Sequence, residues 1–240
     1  MQTGPNIRSL ESGEIIEHFL HTHSGRQPGE GIIYRIDMDI FREIIGQAAA
    51  FSWVDWVVTI TAILYVVLAA REQAWCWFWG MISCSLWAYA SYVFYDLYLD
   101  ALLQLFYVVM AGVGLYEWKY GGRQSEPLPI SRLSWRQHGY FLLGGTAASL
   151  LFGYFFDEYS PAAATYWDAF TTIFSIIATL ILVRKVLDNW IYWVVVDAIY
   201  VGLYASRGAY LFALLMIVYT IIAAFAFFSW RRQYLGAGEE

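Results

Sequence analysis

The chain has 240 residues, of which 60% are apolar, 20% aromatic and only 14% charged, with a formal net charge of −6. So few charges exclude an ordinary soluble domain, where about a quarter of residues are charged. No basic patch is large enough for nucleic acid to be a partner, and the charges that exist lie between apolar runs.

Residues 1–50 lack the basic start and apolar core of a cleavable signal peptide. Within them Ile36, Ile40, Phe41, Ile44 and Ile45 recur at helical spacing, with Asp37, Asp39, Arg42 and Glu43 between. That pattern predicts an amphipathic helix lying on a membrane surface. His18, His21 and His23 suggest a metal site only weakly, because a tail offers no fixed coordination geometry, and no metal is expected.

Seven apolar runs follow, at 51–70, 75–95, 98–118, 139–156, 166–183, 190–206 and 208–230. A bilayer core of about 30 Å needs about 20 apolar residues per helix, so each run predicts a crossing. The polar stretch 119–137, with Pro127 and Pro129, is the long internal loop. The expected division is therefore a tail and surface helix (1–50), three helices (51–118), a loop with a linking helix (119–165), three more helices (166–232) and a short tail (233–240). The fold class is an all-α membrane protein with seven transmembrane helices in a 3+1+3 arrangement.

The two groups of three are related in sequence. At an offset of 112, Tyr98, Leu99, Ala101, Leu102, Leu103, Tyr107, Ala111 and Trp118 meet Tyr210, Leu211, Ala213, Leu214, Leu215, Tyr219, Ala223 and Trp230. Upstream, Tyr92 meets Tyr204 without a gap, and Asp55-Trp56 stands against Trp167-Asp168, one residue out of register. Parallel duplication points to a transporter, because a site between two similar halves can face either side in turn.

Lys and Arg set the orientation. Arg71, Lys119, Arg123, Arg132, Arg136, Arg184, Lys185, Arg231 and Arg232 fall on one side, against Asp96, Asp100, Asp157, Glu158 and Arg207 on the other. The first side is expected to be cytoplasmic, which puts the C-terminus inside and the N-terminus outside.

Cys76 and Cys84, eight residues apart on one helix, are about 12 Å apart and too far to bridge. A retinal protein needs a lysine in mid-helix, and Lys119 and Lys185 lie at membrane edges. There is no HExxH, no GxSxG and no carboxylate facing a histidine within a span, so no enzyme and no cofactor is expected.

Polar groups inside a bilayer are costly and mark functional sites. Trp190, Trp193, Asp197, Tyr200 and Tyr204 follow spacings of three and four and so share one helix face, with Asn189 at its start. Trp190 fits an interfacial aromatic belt as well as a cavity wall. Gln104 lies one turn before Tyr107. The repeat keeps Tyr107 as Tyr219 but replaces Gln104 by Met216, which fits a site for an unsymmetrical molecule. The competing reading of Gln104 is a helix–helix hydrogen bond. Ser83, Ser85, Thr171, Thr172 and Ser175 read as small packing residues. An aromatic cavity with a few amide, hydroxyl and carboxylate groups suits a flat ring with a polar arm, and a cationic ring best.

The runs 97–118, 189–204 and 208–232 resemble the PnuC family of vitamin B3 transporters. The resemblance rests on Leu103-Gln104 with Tyr107, on Gly114, Tyr116 and Trp118, on Asn189-Trp190 with Trp193, and on Trp230 before two basic residues. It covers about 51–232, and the architecture is also similar to SWEET-type transporters. The resemblance implies uptake of nicotinamide riboside by facilitated diffusion across the inner membrane, with phosphorylation inside trapping the substrate. It implies that Gln104, Tyr107, Asn189, Trp190 and Trp193 line the site, and that the chain assembles with copies of itself, as a trimer. Thiamine and riboflavin carriers of the same architecture are the nearest competing readings. A membrane receptor or structural subunit without transport is another.

Overall fold

The computed structural model describes residues 30–94, 98–159 and 165–236. The three N-terminal histidines and Asp96 lie outside the described residues. The chain forms two units, Met1–Gly46 and Gln47–Glu240. In the first unit the described part belongs to helix α1 (Glu30–Ala50), which covers the amphipathic pattern and carries the exposed side chains of Phe41 and Ile45.

In the second unit, which begins at Gln47, Ser52 caps the helix that follows α1. The Ser52 hydroxyl accepts from the Asp55 backbone N–H at 3.3 Å, and the Asp55 carboxylate accepts from the Ser52 backbone N–H at 2.8 Å. This reciprocal box satisfies two amides that a helix start leaves orphaned. Helices α2 (Trp53–Ala70), α3 (Cys76–Val93) and α4 (Tyr98–Tyr120) follow. A 3-10 turn at Arg123–Ser125 leads through the loop to α5 (Trp135–Tyr159), and then come α6 (Thr165–Val183), α7 (Asn189–Ser206) and α8 (Tyr210–Gly236). Among the described residues the only β-type pairing is a single bridge between Ser131 and Val186.

Helices α2, α4, α5, α6 and α8 are long and apolar enough to cross a membrane. Helices α3 and α7 are 18 residues each and richer in Trp, Tyr and polar side chains, which lowers their hydropathy. The protein is thus an all-helical, multi-pass membrane protein. Many large apolar side chains on its outside are exposed, Leu143, Leu151, Val109 and Phe225 among them, as a lipid-facing surface requires.

Packing follows a closed circuit. Helix α2 touches α3, α3 touches α4, α4 touches α6, α6 touches α7, α7 touches α8, and α8 returns to α2. Helix α5 packs on α6 outside the circuit. The first helix of each repeat thus meets the third helix of the other, which is the pattern of a two-fold axis between the halves. Helix starts at 53 and 165, 76 and 189, 98 and 210 give offsets of 112, 113 and 112. The middle helices therefore match one residue further on than the ungapped Tyr92–Tyr204 pairing suggests.

The turns after α2 and α6 carry the same exception. Glu72 and Lys185, offset by 113, both adopt positive φ, 56° and 53°, a region that costs a side chain of this size free energy. They face each other, and Lys185 Nζ lies 3.1 Å from Glu72 Oε2 with both side chains largely buried. The interrepeat loop is tied to the second turn. Ser131 N–H donates to Lys185 O at 3.1 Å, Leu187 N–H donates to Ser131 O at 2.8 Å, and the fully buried Asp188 accepts from the Leu133 N–H and from Arg132. At the opposite end, Gln47 pins the turn between α7 and α8. It donates to Gly208 O at 2.7 Å and accepts from the Leu211 N–H at 3.0 Å, and Gly208 turns the chain with φ 74°. Gly is the residue that takes this conformation without a Cβ clash.

Candidate functional site

The circuit of six helices encloses a cavity of about 330 Å³, within the range of small-molecule sites. Every helix of the circuit contributes. Helix α2 presents Asp55, Thr59 and Tyr65, and α3 presents Trp77, Ser83, Cys84 and Trp87. Helix α4 presents Gln104 and Tyr107, and α6 presents Thr179 and Leu182. Helix α7 presents Trp190, Trp193, Asp197 and Tyr204, and α8 presents Phe212, Met216 and Tyr219.

At one end of the cavity two wall tryptophans, Trp77 and Trp190, are each backed by a second tryptophan. Trp77 meets Trp118 edge-on, with centroids 5.5 Å apart at 87°, and Trp190 meets Trp230 at 5.5 Å and 86°. Trp118 and Trp230 touch each other at 5.6 Å. The Trp118 indole donates to Leu182 O at 3.1 Å, at the end of α6. The Trp230 indole donates to Ala70 O at 3.2 Å, at the end of α2. Those carbonyls are among the four that a helix end leaves without an intrahelical partner. Each repeat thus caps the first helix of the other. Trp77 seats this closely because residue 114 is Gly, where a Cβ would come within 2.4 Å of its ring.

The indole N–H groups of Trp77 and Trp190 have no partner, although both side chains are buried and line the cavity. Buried donors without acceptors are uncommon and costly. Both nitrogens lie below the cavity surface, so a ligand reaches them only if the indoles shift.

Seven of the nine residues expected from the sequence are on this wall: Gln104, Tyr107, Trp190, Trp193, Asp197, Tyr204 and Tyr219. Gln104 lies one turn from Asp100, at a long 3.5 Å, so its amide is not strongly held. The other two lie behind the wall. Asn189 is fully buried as the first residue of α7, where its Nδ2 donates to Val186 O at 2.6 Å and its Oδ1 has no partner. Tyr200 stacks on Tyr204 at 5.6 Å and 16° and turns its hydroxyl toward Thr171 and Ser175 of α6.

Asp55, Tyr65, Trp77, Cys84 and Trp87 are wall residues that the sequence does not mark as part of a site, although Asp55 stands in the repeat and Cys84 is one of the two cysteines. A signal for two of them exists. The offset of 113 that pairs Trp77 with Trp190 also pairs Cys84 with Asp197. Among the described residues no group of three or more His, Cys, Asp or Glu side chains is placed to hold a metal ion. The charged side chains on the wall are Asp55 and Asp197, and no Lys, Arg or His of the described residues lines it.

Comparison with known proteins agrees with this architecture. The family described as "Nicotinamide mononucleotide transporter" matches residues 52–232. The nicotinamide riboside transporter PnuC of Escherichia coli (strain K12) is 28% identical over 198 residues, covering 72% of this chain and 82% of its own. The protein of that name from Neisseria mucosa is 28% identical over 160 residues, covering 64% of this chain and 60% of its own. The one from Haemophilus influenzae is 22% identical over 199 residues, covering 79% and 86%. A crystal structure of the vitamin B3 transporter PnuC superposes with a TM-score of 0.61 at 23% identity, covering 88% of this chain and 94% of that one, and shows a shared fold.

Proposed function

The chain belongs to the nicotinamide mononucleotide transporter family, and on that premise we propose that its cavity carries nicotinamide riboside, not the phosphorylated mononucleotide. One observation carries the choice. The wall holds two carboxylates, Asp55 and Asp197, and no basic side chain of the described residues. A phosphate would bring about two negative charges into that setting without a counter-ion, where two like charges 4 Å apart repel by roughly 4 kcal/mol at an effective dielectric of 20. The riboside is a flat pyridinium cation bearing a carboxamide and a ribose. Aromatic faces attract such a ring, and the amide of Gln104 suits its oxygens.

In this reading the five apolar helices and α3 and α7 make seven crossings in a 3+1+3 order, with residues 51–118 and 166–232 as the repeats and 119–165 as loop and linking helix. Lys and Arg place the loop and the C-terminus in the cytoplasm and the N-terminus outside an inner membrane. The two halves rock about the cavity to expose it to either side, and phosphorylation in the cytoplasm retains the substrate. Trp190, Trp193, Tyr107, Tyr204 and Tyr219 form the aromatic box. Asn189 and Tyr200 support it from behind, the first by setting the entry of α7 and the second by stacking on Tyr204. Assembly as a homotrimer belongs to the same proposal and is read by the mass of the purified particle.

Calorimetric titration with the riboside, the mononucleotide, thiamine and riboflavin tests the assignment. Saturable binding of the riboside alone is the expected result. Selective binding of another vitamin keeps the architecture and replaces the substrate. Tight binding of the mononucleotide removes the electrostatic argument, and binding of none favours a receptor or structural subunit.

A further inference from the structure

Asp197 stands at the middle of α7, is 5% exposed and lines the cavity. Its carboxylate makes no hydrogen bond or ion pair with the described residues, and Tyr219 is an electrostatic neighbour. Asp55, the other acid on the wall, is engaged in the helix cap of Ser52. A carboxylate held out of water without a cation or donor is costly, so its natural complement is a charge that arrives with the ligand. The repeat shows that the position is not a packing requirement, because the equivalent place on α3 holds the neutral Cys84, which also lines the cavity. The converse asymmetry is Gln104 on α4 against Met216 on α8. Each half therefore carries polar groups that the other lacks.

We propose that Asp197 reads the charge of the ring: it is the counter-ion of a flat heterocyclic cation and separates the oxidised pyridinium from the neutral dihydropyridine of the same shape. The inference rests on the riboside reading above. The oxidised ring, stacked among Trp193, Tyr219 and their neighbours, supplies the missing partner. The reduced ring fills the same space and leaves the carboxylate unpaired. Because the carboxylate free of a helix cap is on one half only, the ring is drawn toward α7 and the ribose toward α4 and α3, where Gln104 and Ser83 offer polar groups.

The test is competition binding of nicotinamide riboside and its dihydro form, with N1-methylnicotinamide and neutral nicotinamide as a second pair, to wild type, Asp197→Asn and Asp197→Glu. Wild type and Asp197→Glu are expected to favour each cation over its neutral counterpart by about tenfold or more, as a partly desolvated ion pair implies. Asp197→Asn brings both ratios to about one, with affinity for the neutral forms retained, which shows an intact cavity. Equal binding of the two forms by wild type, or an undiminished preference in Asp197→Asn, overturns the assignment. Failure of either riboside form to bind, with the methylated cation still preferred over nicotinamide, overturns the riboside reading and keeps Asp197 as a cation site. Absence of any preference in both pairs overturns both.

Discussion

Glu72 and Lys185 occupy equivalent turns of the two repeats, share an uncommon left-handed backbone and form an ion pair with each other at 3.1 Å. Lys185 Nζ also lies 5.4 Å from the centre of the Trp118 ring, while Glu72 Oε1 is buried without a hydrogen bond. A duplicated loop has here diverged into two opposite charges, which lets the halves meet without repulsion.

Removing one member of this pair should be far worse than removing both. Lys185→Met or Glu72→Gln leaves a buried charge alone, which costs about 3–5 kcal/mol, whereas replacing a whole buried pair is often neutral. Thermal unfolding in detergent should therefore show large losses for the single variants and substantial recovery in Glu72→Gln/Lys185→Met. Additive losses would mean that the two groups are not coupled.

The cross-repeat indole bonds should act as a matched pair. Trp118→Phe and Trp230→Phe keep a ring in place and each remove one hydrogen bond, at a cost of about 1 kcal/mol, with Leu182 O keeping the Lys185 N–H as a donor. The two variants should lower the unfolding temperature by similar amounts. A strong effect from one and none from the other would show that the two-fold relation is geometric but not energetic.

Gly114→Ala tests the seating of Trp77. The added methyl would meet the indole at 2.4 Å, so the ring must move, with a cost of about 1–3 kcal/mol and a distorted cavity. Ligand affinity and stability should both fall. Gly202→Ala is the control, since nothing lies within 4 Å of its would-be Cβ.

Trp193 and Asn189 are four residues apart, yet their substitutions should separate affinity from stability. Trp193→Ala removes a wall aromatic and is expected to cost about 1–2 kcal/mol of binding for a cationic ring. Asn189→Ala should lower the unfolding temperature and change affinity less, because its amide is committed to Val186 O. Lost affinity at unchanged stability would bring Asn189 into direct contact with the ligand.

Deleting residues 1–45 should leave vitamin binding and transport intact, because the cavity is lined from residue 51 onward and Gln47, which pins the turn between α7 and α8, is retained. Loss of transport with folded protein would favour a role for the N-terminal segment beyond anchoring. Extending the truncation by Gln47→Ala should destabilise the start of α8, as loss of a cap does, by about 1 kcal/mol.

Much of this was legible before the fold. The 98–118 and 210–230 match places α4 and α8, and the stripe Trp190, Trp193, Asp197 and Tyr204 reaches the cavity because helical periodicity alone sets which side chains share a face. Tyr200 belongs to the same stripe but stands at its edge, about 60° around the helix from Asp197 and about 40° from Tyr204, and so falls behind the wall. Asn189 adjoins Trp190 in sequence and therefore points about 100° away from it. Trp77, Cys84 and Trp87 were hidden because α3 carries aromatics on every side and presents no single stripe. The Glu72–Lys185 pair joins residues 113 apart, and no local pattern announces a contact of that kind.

The loop strapped to the turn after α6 has a mechanical consequence. Leu128 bonds back to Trp118 O, and Ser131 bonds to both Lys185 and Leu187, so one end of the second repeat is fastened to the end of the first. A body fastened at one end behaves as a lever. An 18-residue helix is about 27 Å long, so a tilt of ~10° about the fastened end sweeps its far end through about 5 Å, roughly the thickness of an aromatic ring and its neighbour. In the proposed rocking motion, small adjustments at the strap would thereby be magnified at the far end of the helix, on the scale that a flat ligand needs to pass.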